Sequence, residues 1–278
     1  MQTAIDTCIL IFVSSTMLAF GLRVPAQRVS RALREIRLLV IASLVNVLGL
    51  PALGVGIASA FDIPSDLQNG FILIAISPGA PFAIKLVEMA RGELASSIGL
   101  LIILQLVGLV SVPLLAGLFL DPTARIDVGE VLANVLILQL FPLLIGFAGQ
   151  NSTRFGARGV GPANVVSNLS FALLVILVVI ADTPDVVDTL APTTLLAIIA
   201  LQMISLATGF LLGGSNAMLR RSLAILSAAR KGGLALIVAT TSFGSESPAA
   251  IMVIAYSLIE LVLLTGVAAW WRRKPLPV

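Results

Sequence analysis

Two adjacent cations stand in the middle of an apolar run. Arg230-Lys231-Gly232-Gly233 interrupts Leu223–Thr241, which is otherwise almost all Ala, Leu, Ile and Val. Charge at membrane depth is costly and is kept where it faces a cavity, a partner or a ligand. A guanidinium offers a planar fork for a carboxylate, and a desolvated ammonium can change its protonation state. The glycine pair weakens the helix at the same depth. A second interruption is Ser77-Pro78-Gly79-Ala80-Pro81, inside the apolar run that leads to Lys85. Each proline removes a donor and clashes one turn back. In lipid the freed carbonyls must find partners in protein or in a wet cavity. Each break therefore predicts the start of a half-helix, near Ala80–Ala83 and near Gly232–Ala235, whose free N–H groups carry partial positive charge. With Arg230 and Lys231 beside them, these ends favour an anion. The candidate binding residues are Arg230, Lys231, Gly232 and Gly233 on one break, and Pro78, Gly79, Ala80, Pro81 and Lys85 on the other.

Two carboxylates complete the charge balance. Glu260 lies about halfway along the apolar run 249–271, with no positive residue near it in its own helix. A lone carboxylate there protonates or finds a partner. Arg230 or Lys231 is the expected partner, because a short turn joins the two runs, and Tyr256 lies one turn away on the same face. Glu260 is thus a charge partner or a proton carrier. Lys85 and Glu88 stand at i, i+3 and can pair with each other, or lie near the interface with Lys85 snorkelling. Asn46, Gln105, Asn134, Gln139, Asn168, Gln202 and Ser205 are expected to make helix–helix hydrogen bonds, and Pro51, Pro113 and Pro142 simple kinks.

The chemistry of catalysis is thin. The chain has no histidine and one cysteine, Cys8, which lies in an apolar run. That removes the usual general base, a disulfide framework and a cysteine-cluster metal site. There is no G-x-S-x-G elbow and no G-x-x-x-x-G-K-[ST] phosphate loop. No cofactor, no resident metal and no enzymatic activity are expected.

The elements that must position these residues follow from composition. Of 278 residues 58% are hydrophobic and 11% charged, and the mean hydropathy is +1.09. This is an all-α polytopic membrane protein in the lipid bilayer. A net charge of +3 is explained by orientation in the bilayer, with no need for nucleic acid. Nine apolar runs mark spans at about 4–22, 37–60, 70–91, 94–120, 130–149, 163–181, 190–213, 222–241 and 249–271. Loops after spans 1, 5, 7 and 9 are basic, and those after spans 2, 4, 6 and 8 acidic; the loop after span 3, with Arg91 and Glu93, is mixed. Lysine and arginine mark the cytoplasmic side. The amino terminus is therefore expected outside and the carboxyl terminus in the cytoplasm, in a plasma or inner membrane. The arginines of Arg23–Arg37 include three on one helical face, Arg28, Arg31 and Arg34, which suits anionic lipid heads or a plain cytosolic loop.

The interruptions fall in spans 3 and 8, five crossings apart, so the two helices run in opposite directions. That pattern predicts an inverted-topology repeat in which two broken helices meet near the bilayer centre. The whole chain is then one transport-type domain, with repeat 1 at about 1–120 and repeat 2 at about 128–272.

Ser77-Pro78-Gly79-Ala80-Pro81 followed by Ala90-Arg91-Gly92-Glu93-Leu94-Ala95-Ser96-Ser97 resembles a motif pair of the bile acid:sodium symporter superfamily, and Gly232-Gly233-Leu234-Ala235-Leu236 resembles a segment of its second broken helix. The resemblance implies a secondary transporter of a small organic anion working by alternating access. Its core would be spans 2–4 and 7–9, its moving panel spans 1, 5 and 6. It also implies sodium coupling. Where members carry T-A-S-N this chain has Pro81-Phe82-Ala83-Ile84, and where they carry Gln-Asn it has Arg230-Lys231. A hard cation takes several oxygen ligands, and these side chains offer none. A fixed cation in place of sodium, with proton-coupled or uncoupled transport, is the alternative, and beside it a channel or a sensor without transport coupling.

Overall fold

A computed structural model describes residues 2–120, 129, 133, 135–150, 159–173, 191–244 and 247–274. Among them the backbone is helical, with one isolated β-bridge and no strand. Apolar chain in lipid must satisfy its N–H and C=O groups internally, and a helix does so within one segment. The helical stretches Ile36–Ala60, Leu94–Phe119, Pro192–Leu212 and Pro248–Arg273 are long and apolar enough to cross a bilayer.

In chain order the helices are α1 (Gln2–Arg23), α2 (Ala26–Ala32), α3 (Ile36–Leu44), α4 (Leu50–Ala60), α5 (Ser65–Ala75), α6 (Phe82–Met89) and α7 (Leu94–Phe119). They continue with α8 (Phe141–Gly149), α9 (159–173), α10 (Pro192–Leu212), α11 (Ala217–Ala228), α12 (Gly232–Phe243) and α13 (Pro248–Arg273). Span 3 is the pair α5 and α6, and span 8 the pair α11 and α12, each broken where the prolines and glycines stand. The expected spans 130–149 and 163–181 lie partly outside the described residues, as do Asn134 and Glu246.

Caps set the helix starts. Glu93 accepts from Ala95 N–H at 3.2 Å and from Ser96 N–H, opening α7. Asn216 accepts from Met218 and Leu219 at 3.0 and 3.1 Å, opening α11. Ser247 accepts from Ala250 at 3.2 Å, and Pro248 follows it at the first helical position. The mixed Arg91-Gly92-Glu93 loop is thus a tight turn between α6 and α7, with its acid used as a cap. Two of the expected kinks are of a particular kind. Pro51 and Pro142 stand just after widened π-turns, Val45–Gly49 and Val135–Leu140. A proline ring displaces the carbonyl four residues back, here Val47 and Leu138, and the extra residue of the π-turn accommodates it.

The chain divides into two compact units. One holds Met1–Arg34 and Gly129–Ala181, the segments of spans 1, 5 and 6; the other holds Glu35–Val128 and Asp182–Val278, those of spans 2–4 and 7–9. In the first, α1 packs on α8, and Thr16 Oγ1 meets Ser167 Oγ at 2.6 Å. In the second, α10 packs on α11, and α13 on α5 and α12.

Arg221 ties one end of the second unit together. Its position suggests a surface loop after span 7, but the structure buries it in the second turn of α11. The guanidinium Nη1 donates to Ala90 O and Trp271 O, both at 3.0 Å, and Nη2 to Lys274 O at 3.5 Å. These carbonyls lie at the C-terminal ends of α6 and α13, where helix dipoles are negative and acceptors unpaired. Replacing Arg221 by Gln removes the donor to Ala90 O and one of the two donors to Trp271 O. The expected cost is about 2–3 kcal/mol, seen as a clear fall in the melting midpoint of purified protein, while Arg273→Gln, on exposed chain, stays within about 0.5 kcal/mol of the parent.

Candidate functional site

The two breaks meet. Pro78 and Arg230 form an antiparallel bridge, and Lys231 N–H donates to Ser77 O at 2.7 Å. The link runs this way because Pro78 has no N–H to give, so the opposite strand supplies the donor. Gly79 turns the chain with φ +86°, a conformation that side chains resist, and a Cβ there would sit 3.3 Å from Leu104 Cβ of α7. Gln105 Nε2 reaches Gly79 O at 3.5 Å. Gly232 opens α12 tightly against α13: a Cβ there would lie 3.2 Å from Ser257 Cβ and run into its hydroxyl.

Arg230 and Lys231 differ in their surroundings. Ala229 is extended, with φ −73° and ψ 118°, and Lys231 has φ −82° and ψ 69°. Arg230 is fully buried. Its Nη1 donates to Ala75 O at 3.3 Å and Asn46 O at 3.4 Å. Ala75 is the last residue of α5, so the guanidinium sits at the negative end of a half-helix. Asn46 lies in the Val45–Gly49 π-turn. Lys231 is only half-buried, and its ammonium has no partner among the described residues. It is the N-cap of α12, which has no side-chain cap.

The expected partnership of Glu260 is corrected in detail. Its Oε1 accepts the backbone N–H of Arg230, not the guanidinium, and no ammonium or guanidinium nitrogen lies within 4.0 Å of it among the described residues. The fully buried carboxylate thus helps hold the break that Arg230 occupies. The Tyr256 hydroxyl, one turn back, faces Gln202 of α10. Lys85 is already neutralised, since its Nζ donates to Glu88 Oε2 at 2.8 Å as an i, i+3 ion pair.

The candidate residues therefore sort by access. Pro78, Gly79, Ala80 and Arg230 are buried and build the crossing. Pro81, Lys85, Lys231 and Gly232 are half-buried, and Gly233 is exposed. Here α6 and α12 begin. The N–H groups of Phe82, Gly233 and Leu234 have no acceptor among the described residues, as first-turn donors do when no side chain caps them. A cation and a helix N-terminus repel each other weakly. An anion at the start of α12 relieves both.

Asn46 has a larger part than a generic polar residue in a span. Its Nδ2 donates to Ala42 O at 2.8 Å and to Ser227 Oγ at 3.0 Å, while its carbonyl receives Arg230. The available signals were an amide inside an apolar run and a proline, Pro51, five residues later.

Comparison with known proteins places these features in context. The model of the Sodium Bile acid symporter family matches residues 10–187, more than half of the chain; the match includes Pro78–Pro81 and ends before Arg230. The uncharacterized sodium-dependent transporter YocS of Bacillus subtilis is 25% identical over 282 residues, covering 98% of this chain and 85% of that protein. The probable sodium/metabolite cotransporter BASS3, chloroplastic, of Arabidopsis thaliana is 25% identical over 130 residues, 47% of this chain and 30% of the relative. Its Oryza sativa counterpart is 27% identical over the same share of this chain and 31% of its own.

Arg230 and Glu260 are expected to behave as a coupled pair in unfolding. Arg230→Leu leaves the Asn46 and Ala75 carbonyls without their donor and Glu260 without its countercharge, costing about 3 kcal/mol. Glu260→Leu strands the Arg230 N–H. The double variant loses less than the sum of the two, by about 1 kcal/mol or more, in a double-mutant cycle on purified protein.

Proposed function

The chain belongs to the sodium bile acid symporter family, and from that premise we propose that it carries a small organic anion across the cell membrane by alternating access. One observation carries this reading. Among the described residues the half-buried ammonium of Lys231 has no partner at the start of α12, which has no side-chain cap, and the N–H groups of Gly233 and Leu234 beside it have no acceptor. A carboxylate placed there meets a cation, aligned donors and a helix dipole together. Gly232 and Gly233 keep side chains out of its way, and Pro81 at the start of α6 lines the other break. Lys85, held by Glu88, contributes field more than a direct contact.

Arg230 takes the other role. Its guanidinium bonds backbone carbonyls, the kind of oxygen a hard cation takes as ligand. In this reading it stands permanently where a coupling ion would bind, Glu260 is its charge partner, and transport of the anion needs no sodium. A second reading, sodium-coupled symport, is favoured by the printed names of the relatives, which are sodium-dependent or sodium/metabolite transporters.

The surrounding architecture of the proposal is nine crossings, with the amino terminus outside and the carboxyl terminus in the cytoplasm, following the alternation of basic and acidic loops. Residues 1–120 and 128–272 form its two inverted repeats. Broken helices at such a repeat interface are the usual seat of a substrate site in secondary transporters. The two compact units hold the segments expected for panel and core, which supports a rocking motion of one against the other.

Uptake of labelled organic acids into proteoliposomes tests the reading. Lys231→Gln is expected to lower uptake tenfold or more, with Lys231→Arg retaining part and Lys85→Gln most of it. Imposing or removing a sodium gradient leaves parental uptake unchanged; a strong sodium requirement selects the symport reading. Glu260→Gln keeps an acceptor for Arg230 N–H and so preserves both transport and its pH profile, and loss of the pH profile in that variant would show Glu260 to be the proton carrier instead. Acceleration by substrate on the far side distinguishes a carrier from a channel.

A further inference from the structure

The elbow after α1 presents a basic surface. The stretch Leu10–Arg23 and the helix α2 meet at 96°. If α1 crosses the bilayer, α2 lies nearly in its plane, at the end of the crossing that the arginines mark as cytoplasmic. The angle is held by built contacts. Gln150, just past α8, donates from Nε2 to both Gly21 O and Val24 O at 2.6 Å, bonding the carbonyls that α1 leaves open as it ends. Gly21 and Gly146 let α1 and α8 touch backbone to backbone beside it.

On α2 the apolar residues Val29 and Ala32 are buried, while Arg28 and Arg31 are exposed, as is Arg34 just beyond. None of these three guanidinium groups has an ion-pair or hydrogen-bond partner among the described residues, although Glu35 is adjacent in sequence. Orientation during insertion needs basic residues in this loop but no ordered helix, no fixed angle and no single face. Two guanidinium groups on an in-plane helix at the bilayer surface, Arg28 and Arg31, and a third in the turn just beyond it, Arg34, match a row of phosphodiester headgroups in charge and in depth.

We propose that α2 is a docking site for anionic phospholipid headgroups, held by Arg28, Arg31 and Arg34, which anchors the first compact unit to the cytoplasmic leaflet. The ligand is the phosphate of a membrane lipid, presented by the bilayer that holds α1. The proposal stands independently of the transported substrate and of its coupling ion.

The test uses the full-length protein in nanodiscs of phosphatidylcholine, with and without phosphatidylglycerol, reading bound lipid by native mass spectrometry and the melting midpoint in parallel. The parent is expected to retain phosphatidylglycerol selectively, to melt higher in its presence, and to lose both effects as salt rises. The triple variant Arg28→Gln, Arg31→Gln, Arg34→Gln is expected to lose that selectivity by tenfold or more, and the triple Lys variant to keep most of it. The double variant Arg272→Gln, Arg273→Gln, which removes exposed charge at the end of α13, serves as control and stays like the parent. Inorganic phosphate in solution is expected to leave the midpoint unchanged. Unaltered phosphatidylglycerol retention in the triple Gln variant, equal loss in the control, or a midpoint raised by free phosphate alone would each overturn the proposal. Should the triple Gln variant fail to fold, the three single variants carry the same comparison.

Discussion

Backbone groups released inside a membrane have almost nowhere to go, and in this protein two sets of them meet each other. The break at 76–81 and the break at 229–231 exchange a bridge, with Lys231 N–H on Ser77 O. Water is not available to do this in the hydrocarbon layer, so each interruption is tolerable because the other exists. Pro78 and Pro81 fit the arrangement because a residue without an N–H leaves no orphan donor. Gly79 fits because its positive φ brings the chain around beside α7. Helix ends that would be a liability singly become a crossing when paired.

The crossing then separates charge. At the C-terminal end of α5 the carbonyls face a buried guanidinium, and the acid that balances it, Glu260, binds the backbone N–H of the same residue. Nη1 of the Arg230 guanidinium is therefore met by carbonyls, while Nε and Nη2 are buried without a hydrogen-bond partner among the described residues. The N-terminal ends of α6 and α12 have no side-chain cap among the described residues, and Lys231 adds positive charge to one of them. One cation lies fully buried on backbone carbonyls, and the other lies half-buried at the start of a helix.

Support for this arrangement comes from elements further away. Pro51 widens the turn that carries Asn46, whose carbonyl meets Arg230 and whose amide reaches Ser227 on α11. Arg221 gathers the C-terminal carbonyls of α6 and α13 around the second turn of α11. Both devices supply a donor to carbonyls that a helix end or a π-turn leaves open, so the same accounting that governs the crossing governs its scaffold.

Much was legible in the chain itself. Long apolar runs forced helices and a membrane, since no other regular structure hides its backbone in lipid within one segment. Pro78, Gly79, Pro81 and the glycine pair announced both breaks, because their effects on helices are local and need no tertiary context. The spacing of Lys85 and Glu88 allowed the ion pair that the structure forms, without choosing it over snorkelling. Partner choice across the fold was not legible. Arg230 and Lys231 are adjacent and alike in charge, and only the packing of the two breaks decided that one is fully buried and the other half-buried. Arg221 reads as a loop residue and Asn46 as a generic polar contact, because burial and acceptors come from helices distant in sequence. Local chemistry determined where the helices would break; three-dimensional packing decided what each exposed backbone group and each charge would bind.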